Sequence, residues 1–184
     1  MSRAGRVFNL EAMMRSGSFA LCMMVALASG SLALAGASKG DSIGTLRFAD
    51  AEGRAIVLDT PGVVYLVDFW ALGCKPCIQE VPELERLAKE YEPAGRFRLV
   101  SVVWGGFRGK DLSRVAEQAG TTLPIYSDPE NWHDRLDVDG FPTKLFVRDG
   151  TVLARTGGGV AGLYQRWKAE VERALKVAGA VRSR

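Results

Sequence analysis

The chain has 184 residues, three cysteines, one histidine and a formal net charge of +3. Its first 37 residues contribute three arginines and one glutamate, which leaves 21 basic and 20 acidic residues in the remainder. A body so close to neutral lacks the concentrated positive charge of a nucleic-acid-binding domain, and we expect no nucleic acid as a partner. The length is that of one domain with a sizeable core.

The N-terminal segment has the pattern of an export signal. Between Arg15 and Lys39 there are 23 residues without a charge, with arginines before them and small Ala-x-Ala-like cleavage sequences near the end. A segment of this length also suffices to span a bilayer. We therefore expect residues 1–37 to be a signal peptide or a membrane anchor, the anchor running through residues 16–38. Residues 38–184 are then a periplasmic or otherwise extracytoplasmic domain.

The body predicts strands and helices that alternate along the chain. Short alternating apolar runs predict hairpins, continuous apolar runs predict buried strands, and apolar steps of three and four predict helices. In chain order these are a hairpin over 45–58, a strand over 63–70, a helix over 76–91, a strand over 96–104, a helix over 110–119, an extended piece over 123–128, a short helix over 130–136, a hairpin over 143–156 and a helix over 161–177. This order predicts an α/β domain with a mixed sheet.

Cys74 and Cys77 lie between a predicted strand and a predicted helix. A structural zinc site needs four ligands, but the sequence has no second pair of this kind and one histidine, His133. Covalent haem attachment needs a histidine where Ile78 stands. The main alternative is a structural disulfide, yet closing so short a loop removes little entropy from the unfolded chain. The spacing and position therefore favour a redox pair.

The start of the predicted helix favours the thiolate form of Cys74. Backbone amides without helical partners and the helix dipole stabilise an anion there, and Pro76 fits the first turn. We expect Cys74 to attack a substrate disulfide and Cys77, one turn further on, to resolve the mixed disulfide. Lys75 adds a positive charge, which should further stabilise the thiolate and make the couple more oxidising.

Asp68 interrupts an otherwise apolar strand six residues before Cys74. Burying a carboxylate costs free energy, so we predict that Asp68 accepts the proton of Cys77 during resolution. The alternative is an aspartate at the strand end that points to water. Three tryptophans elsewhere are predicted to pack in or near the core: Trp104, Trp132 and Trp167.

The stretch VDFWALGCKPC resembles the active-site sequence of thioredoxin-like proteins, and VDGFPTKLFVRDGTVL resembles the segment that carries their cis-proline. The export segment, the N-terminal hairpin and the added region at 110–129 resemble TlpA/ResA-like periplasmic thiol–disulfide oxidoreductases. The resemblance covers roughly residues 41–178. It implies a thioredoxin-like fold, with a central mixed β-sheet flanked by helices and an N-terminal β-hairpin extension. It also implies a cis Phe141–Pro142 bond and a helix kink at Pro82.

The resemblance implies four catalytic residues: Cys74, Cys77, Asp68 and Pro142. It places six residues in or beside the substrate groove: Trp70, Lys75, Pro76, Gly140, Phe141 and Thr143. We expect no metal and no cofactor beyond the redox-active Cys74–Cys77 disulfide. Gly73 departs from the family pattern, which usually has a tryptophan or similar bulky residue before the first cysteine. Without that bulky residue, part of the apolar surface on which family members dock their substrates is missing.

The expected function is reduction of protein disulfides outside the cytoplasm, for example in cytochrome c or copper-site maturation. The family implies a membrane electron donor of the CcdA/DsbD type. The alternative is a thioredoxin-fold copper chaperone or assembly factor, because soft thiolates suit Cu(I). Missing Met or His ligands near the motif count against that alternative. A peroxidase of the superfamily is disfavoured, because its Pro-x-x-x-Thr-x-x-Cys arrangement is absent.

Overall fold

The structure of this chain is a computed structural model that describes residues 36–157 and 163–181. The predicted signal or anchor lies almost entirely outside these ranges, so its boundary at residue 37 stays a prediction. Ala37 already packs on the body, because it is buried and its N–H donates to the carbonyl of Leu136 at 3.3 Å. Among the described helices, none is both long enough and apolar enough to cross a membrane.

A five-stranded mixed sheet forms the centre of the domain. Its strands are β3 (Val64–Ala71), β4 (Phe97–Trp104), β5 (Ile125–Tyr126), β6 (Thr143–Arg148) and β7 (Thr151–Gly157). They are ordered β5-β4-β3-β6-β7, with β3, β4 and β5 parallel and β6 and β7 antiparallel to their neighbours. The predicted mixed sheet is therefore confirmed.

The predicted N-terminal hairpin is also present. Strands β1 (Arg47–Ala49) and β2 (Ala55–Val57) pair antiparallel around a turn in which the Asp50 carboxylate accepts the backbone N–H of Arg54 at 2.8 Å. Ala49 and Ser127 exchange backbone hydrogen bonds of 3.0 and 2.8 Å, which attach the hairpin beyond the end of β5.

In the described ranges four helices accompany the sheet: α1 (Lys75–Tyr91), α2 (Lys110–Ala119), α3 (Trp132–Arg135) and α4 (Leu163–Val181). A 3₁₀ turn, Glu92–Ala94, follows α1. The helix predicted over 130–136 is shorter than expected, because Asn131 has a left-handed φ of 55° and precedes the helix. Pro82 lies inside α1, as the resemblance implies.

The central strand β3 is covered on both faces, which explains its nearly unbroken apolar sequence. Tyr65, Val67 and Phe69 pack in a core cluster with residues of the β1–β2 hairpin. Val64 and Leu66 pack on the other side with residues of α1 and α4. Because side chains alternate along a strand, Asp68 follows Leu66 onto the face covered by α1 and α4.

The residues through which helix α1 packs on that face are not all those expected from the sequence. The apolar residues at steps of three and four in the sequence predict a buried stripe of Ile78, Val81, Leu84, Leu87 and Ala88, but Ile78 and Val81 are only partly buried. The buried residues at spacings of three and four are Cys77, Glu80, Leu84, Leu87 and Ala88. A carboxylate therefore occupies a core position one turn after Cys77.

Glu85 ties α1 to the loop between α2 and β5. Its Oε1 accepts the backbone N–H of Thr122 at 2.7 Å and the hydroxyls of Thr121 and Thr122 at 3.1 and 2.9 Å. The backbone hydrogen bond from Thr122 lowers the pKa of Glu85, and burial opposes this only in part.

We expect Glu85→Gln to reduce the free energy of unfolding at pH 7 by about 1 kcal/mol, because hydrogen bonds to a charged acceptor are stronger than those to a neutral one. Folding lowers the pKa of Glu85, so its contribution is present above the ordinary value of 4.5 and is lost as the pH falls through the folded-state pKa. Urea unfolding across this range, with the exposed Glu52→Gln as control, should show the two curves converging in acid. An equal difference at every pH would contradict the assignment.

Candidate functional site

The site lies where three chain segments meet at one end of the sheet, the end at which the central strands β3 and β4 finish. In the parallel pair of β3 and β4, Ala71 is opposite Trp104, so the C-terminal ends of both strands lie side by side. In the antiparallel pair of β3 and β6, Phe69 is opposite Thr143, so Pro142 precedes β6 at that end. The strand register therefore brings the cysteine motif, the loop after β4 and the proline segment together.

The two cysteines form a disulfide at the start of α1, with an S–S distance of 2.04 Å. Cys74 is the N-cap residue of this helix, and its Sγ accepts the backbone N–H of Cys77 at 3.3 Å. Cys77 is buried, with 4% exposure, whereas Cys74 is half-buried. The more accessible sulfur, that of Cys74, thus accepts a hydrogen bond from a backbone amide of the first helical turn, and Cys77 is the more buried of the two. The Phe141–Pro142 peptide bond is cis, as the resemblance implies.

Gly73 has a backbone conformation that suits glycine. Its φ is +86°, a region in which a side chain is strained, although a Cβ there would meet nothing within 4 Å. A bulky residue at this position would require a different approach of the chain to Cys74. Because Gly73 has no side chain, the surface next to Cys74 on this side is not covered by the residue before it.

A buried charge cluster lies on the α1 face of the sheet and consists of Asp68, Glu80 and Lys144. Asp68 on β3 and Lys144 on β6 are opposite each other in the strand register, and Lys144 Nζ is 3.0 Å from Asp68 Oδ1. Lys144 Nζ also donates to Glu80 Oε2 and lies 4.8 Å from the ring centroid of Trp167. All three charged side chains are at most 5% exposed.

The cluster holds two carboxylates against one ammonium. Burial alone would lower the pKa of Lys144, but the negative charges of Asp68 and Glu80 outweigh it and raise that pKa. Burial raises the pKa of Glu80, and the charge of Lys144 offsets this only in part. Among the described residues, Glu80 Oε1 has no hydrogen-bond donor. Asp68 Oδ1, although 3.0 Å from Lys144 Nζ, also makes no hydrogen bond with a described residue. Each carboxylate thus keeps one oxygen without a donor, and the role predicted for Asp68 stays a prediction.

The predicted burial of Asp68 is confirmed, because Asp68 is 4% exposed and does not point to water. The burial of Glu80 and Lys144 beside Asp68 was not predicted from the sequence. Glu80 carries a detectable signal, since it lies three residues after Cys77 and four before Leu84, both in the buried stripe. Lys144 is a lone charge in an apolar strand, and a buried Asp68 calls for such a partner.

The residues expected at the substrate groove differ in accessibility. Lys75 and Gly140 are exposed, and Pro76 and Phe141 are half-buried. The other two are buried: Trp70, whose indole N–H donates to Ser101 Oγ at 2.8 Å, and Thr143, whose hydroxyl donates to the Gly140 carbonyl at 2.7 Å. Their side chains support the groove from below, and their roles stay predictions.

Two of the three tryptophans predicted for the core are there: Trp132 is 5% exposed and Trp167 is 1% exposed. The prediction for Trp104 is wrong, because this residue is 50% exposed. It is the last residue of β4, and the described residues leave half of its surface uncovered. Its ring centroid is 5.9 Å from that of Phe141.

Comparison with known proteins is consistent with this geometry. No family model matches the sequence. The chain is 32% identical over 102 residues to the thioredoxin-like protein YneN of Bacillus subtilis, covering 54% of this chain and 59% of YneN. It is 29% identical over 115 residues to the thiol-disulfide oxidoreductase ResA of Halalkalibacterium halodurans, covering 59% of this chain and 63% of ResA. The chain thus spans about three fifths of each of these relatives.

Two further matches cover more of the related protein. Thioredoxin C-2 of Corynebacterium nephridii is 31% identical over 109 residues, which covers 59% of this chain and 78% of that protein. A crystal structure from Chlorobium tepidum, assigned as the thiol:disulfide interchange protein DsbE, aligns with a TM-score of 0.64 at 27% identity. That alignment covers 76% of this chain and 99% of the other.

A parallel and antiparallel five-stranded sheet, with a Cys-x-x-Cys disulfide at a helix start beside a cis-proline, defines a thioredoxin-fold protein. This chain belongs to the thioredoxin family, and the predicted thioredoxin-like fold is confirmed. Its similarity to ResA and to the DsbE structure agrees with the TlpA/ResA-like resemblance.

We expect Lys144→Met to lower the free energy of unfolding by about 3–5 kcal/mol at pH 8, because it leaves two buried carboxylates without a cation. The loss should be smaller at pH 5. Folding raises the pKa of Glu80, so the folded state takes up a proton more readily than the unfolded chain, and stability falls as pH rises above the ordinary value of 4.5. Removing Lys144 strengthens this dependence.

The matched control is Lys168→Met, which removes a cation 2.6 Å from Glu90 at the surface. A surface pair of this kind contributes about 1 kcal/mol or less. Urea unfolding of both variants at pH 5 and pH 8 tests the assignment. If Lys144→Met costs no more than Lys168→Met, the buried cluster does not contribute as described.

Proposed function

We propose that this chain is an exported thiol–disulfide oxidoreductase that reduces protein disulfides through Cys74 and Cys77. The observation that carries the proposal is the sulfur of Cys74 at the N-cap of α1, with the N–H of Cys77 donated to it and Cys77 buried behind it. Similarity to proteins named thiol-disulfide oxidoreductase supports the same activity.

In the first step the Cys74 thiolate attacks one sulfur of a client disulfide. A bond forms between Cys74 and that sulfur, the client S–S bond breaks, and the other client sulfur leaves as a thiolate. The amide of Cys77 and the dipole of α1 stabilise the Cys74 thiolate before the attack. Pro142 and the backbone at Gly140 and Phe141 flank the position of the client chain.

In the second step Cys77 releases the client. Its thiol gives a proton to the Asp68–Glu80–Lys144 cluster, and the resulting thiolate attacks the Cys74 sulfur. Glu80 is placed for this transfer, because residues three apart on a helix lie on one face and Cys77 and Glu80 are both buried there. The bond between Cys74 and the client sulfur breaks, and that sulfur leaves as a thiolate, so the client has gained two electrons. Cys74 and Cys77 are then joined as in the present structure.

A further turnover needs a donor of two electrons to the Cys74–Cys77 disulfide. We assign this role to a membrane protein of the CcdA/DsbD type, and we place the clients outside the cytoplasm, among proteins such as apocytochrome c or copper-site proteins. The uncharged segment between Arg15 and Lys39 and the TlpA/ResA-like resemblance support these assignments. No cofactor takes part in the two steps.

The test is reduction of insulin and of a small disulfide by the reduced full chain, with single cysteine variants. Cys74→Ser should abolish reduction, because it removes the attacking sulfur. Cys77→Ser should accumulate a mixed disulfide, visible by mass spectrometry, because the resolving sulfur is missing. Cys22→Ser, a matched change outside the motif, should retain activity.

Reduction that survives in Cys74→Ser would contradict the proposed mechanism. A reduced chain that is inactive in both assays but binds Cu(I), with binding lost in Cys77→Ser, would instead favour the copper chaperone.

A further inference from the structure

Trp104 is the large apolar side chain with the greatest exposure among the described residues. It is 50% exposed, and the only other exposed large apolar residue in this part of the chain is Leu72, at 37%. Single exposed apolar residues are common and need no explanation. Trp104 and Leu72 differ from such isolated residues because both lie at the end of the sheet where β3 leads into the cysteine motif.

The strand register fixes this proximity. Trp104 is opposite Ala71, the residue before Leu72 and three before Cys74. On its other side, the Trp104 ring is 5.9 Å from the ring of Phe141, which precedes Pro142. Trp104 therefore lies beside Phe141, and Leu72 follows the residue opposite Trp104 and comes two residues before Cys74. These three residues, Leu72, Trp104 and Phe141, are called the apolar rim below.

The support beneath Trp104 holds it in place. The loop after β4 turns sharply, because Gly105 has a φ of +122° and a Cβ there would lie 2.8 Å from the Phe107 ring. The His133 ring packs edge-on against Trp104 at 6.4 Å. Asp128 fixes His133 by accepting its backbone N–H at 2.9 Å and contacting its ring nitrogen at 3.0 Å. A cleft of about 330 Å³ opens beside this support.

We propose that Trp104 supplies, from β4, the aromatic docking surface that Gly73 cannot supply from the cysteine loop. The apolar rim binds an aromatic or long aliphatic side chain adjacent to the client cysteine. This inference rests on the proposed function, since a client chain must approach Cys74 for its disulfide to be reduced.

The charges around the apolar rim point to an uncharged partner. Close in sequence to the apolar rim and its support, exposed charges of both signs are equally frequent: Lys75, Arg108, Lys110 and Arg135 against Asp111, Asp134, Asp137 and Asp139. Neither sign dominates, so electrostatic attraction does not select a basic or an acidic client segment. Apolar contact with Trp104 is then the term that distinguishes clients, and an aromatic pair gains free energy beyond its buried area.

The experiment measures how fast the reduced full chain is oxidised by two peptide disulfides. Each substrate is a disulfide-linked peptide homodimer, with Phe or with Ser on both sides of its cysteine. Each rate constant is divided by that of free dithiothreitol with the same peptide, which removes differences in intrinsic disulfide reactivity. We expect the chain to prefer the Phe peptide about tenfold, as one aromatic contact of this strength predicts.

Trp104→Ala should reduce this preference to about twofold or less, and Trp104→Phe should restore most of it. The matched control is Lys89→Ala, an exposed position roughly 20 Å along α1 from the cysteines, and it should keep the preference. A wild-type preference that persists in Trp104→Ala, or no preference in the wild type, would overturn this inference alone. A wild-type chain that reduces neither peptide nor a small disulfide would overturn the proposed function as well.

Discussion

The ammonium group of Lys144 faces two carboxylates in the protein interior, and the active site depends on this arrangement. The cluster takes Asp68 from β3, Glu80 from α1 and Lys144 from β6. The same three elements carry or adjoin the cysteines and Pro142. Because separating buried charges is costly, the cluster fixes the start of α1 against the sheet. It also has one carboxylate more than it has cations, which supports the proposed role of the cluster as the proton acceptor for Cys77.

The chemistry is divided between the end of a helix and the interior of the domain. In the proposed mechanism the N-terminal end of α1, including the N–H of Cys77, stabilises the Cys74 thiolate that attacks the client. In the proposed mechanism the cluster accepts the proton of Cys77, which is buried and is not contacted by the client. Close to the cysteine motif, Trp104 and Leu72 add apolar surface that the turn at Gly73 does not provide. Attack, resolution and client contact thus use different residues of one small region.

Much of this could be predicted from the sequence, because the relevant signals are local. The continuous apolar run of β3 predicts a covered strand, and the Cys-x-x-Cys spacing before an amphipathic helix predicts the redox pair. Glu80, Lys144 and Trp104 were missed or misassigned because their environments depend on strand register and on helix rotation. Asp68 and Lys144 are 76 residues apart in sequence, and only the antiparallel pairing of β3 and β6 places them side by side. Trp104 is exposed as the last residue of β4.

The rate of resolution by Cys77 tests the role of the cluster most directly. In the Cys22→Ser background, so that Cys74 and Cys77 are the two thiols present, reduced chain mixed with dithiobis(nitrobenzoate) releases one chromophore when Cys74 attacks and a second when Cys77 resolves. In the Asp68→Asn, Glu80→Gln double variant, we predict that the second release slows at least tenfold at pH 7 and that its pH profile moves to higher pH. A second release with the wild-type rate and pH profile would contradict the account.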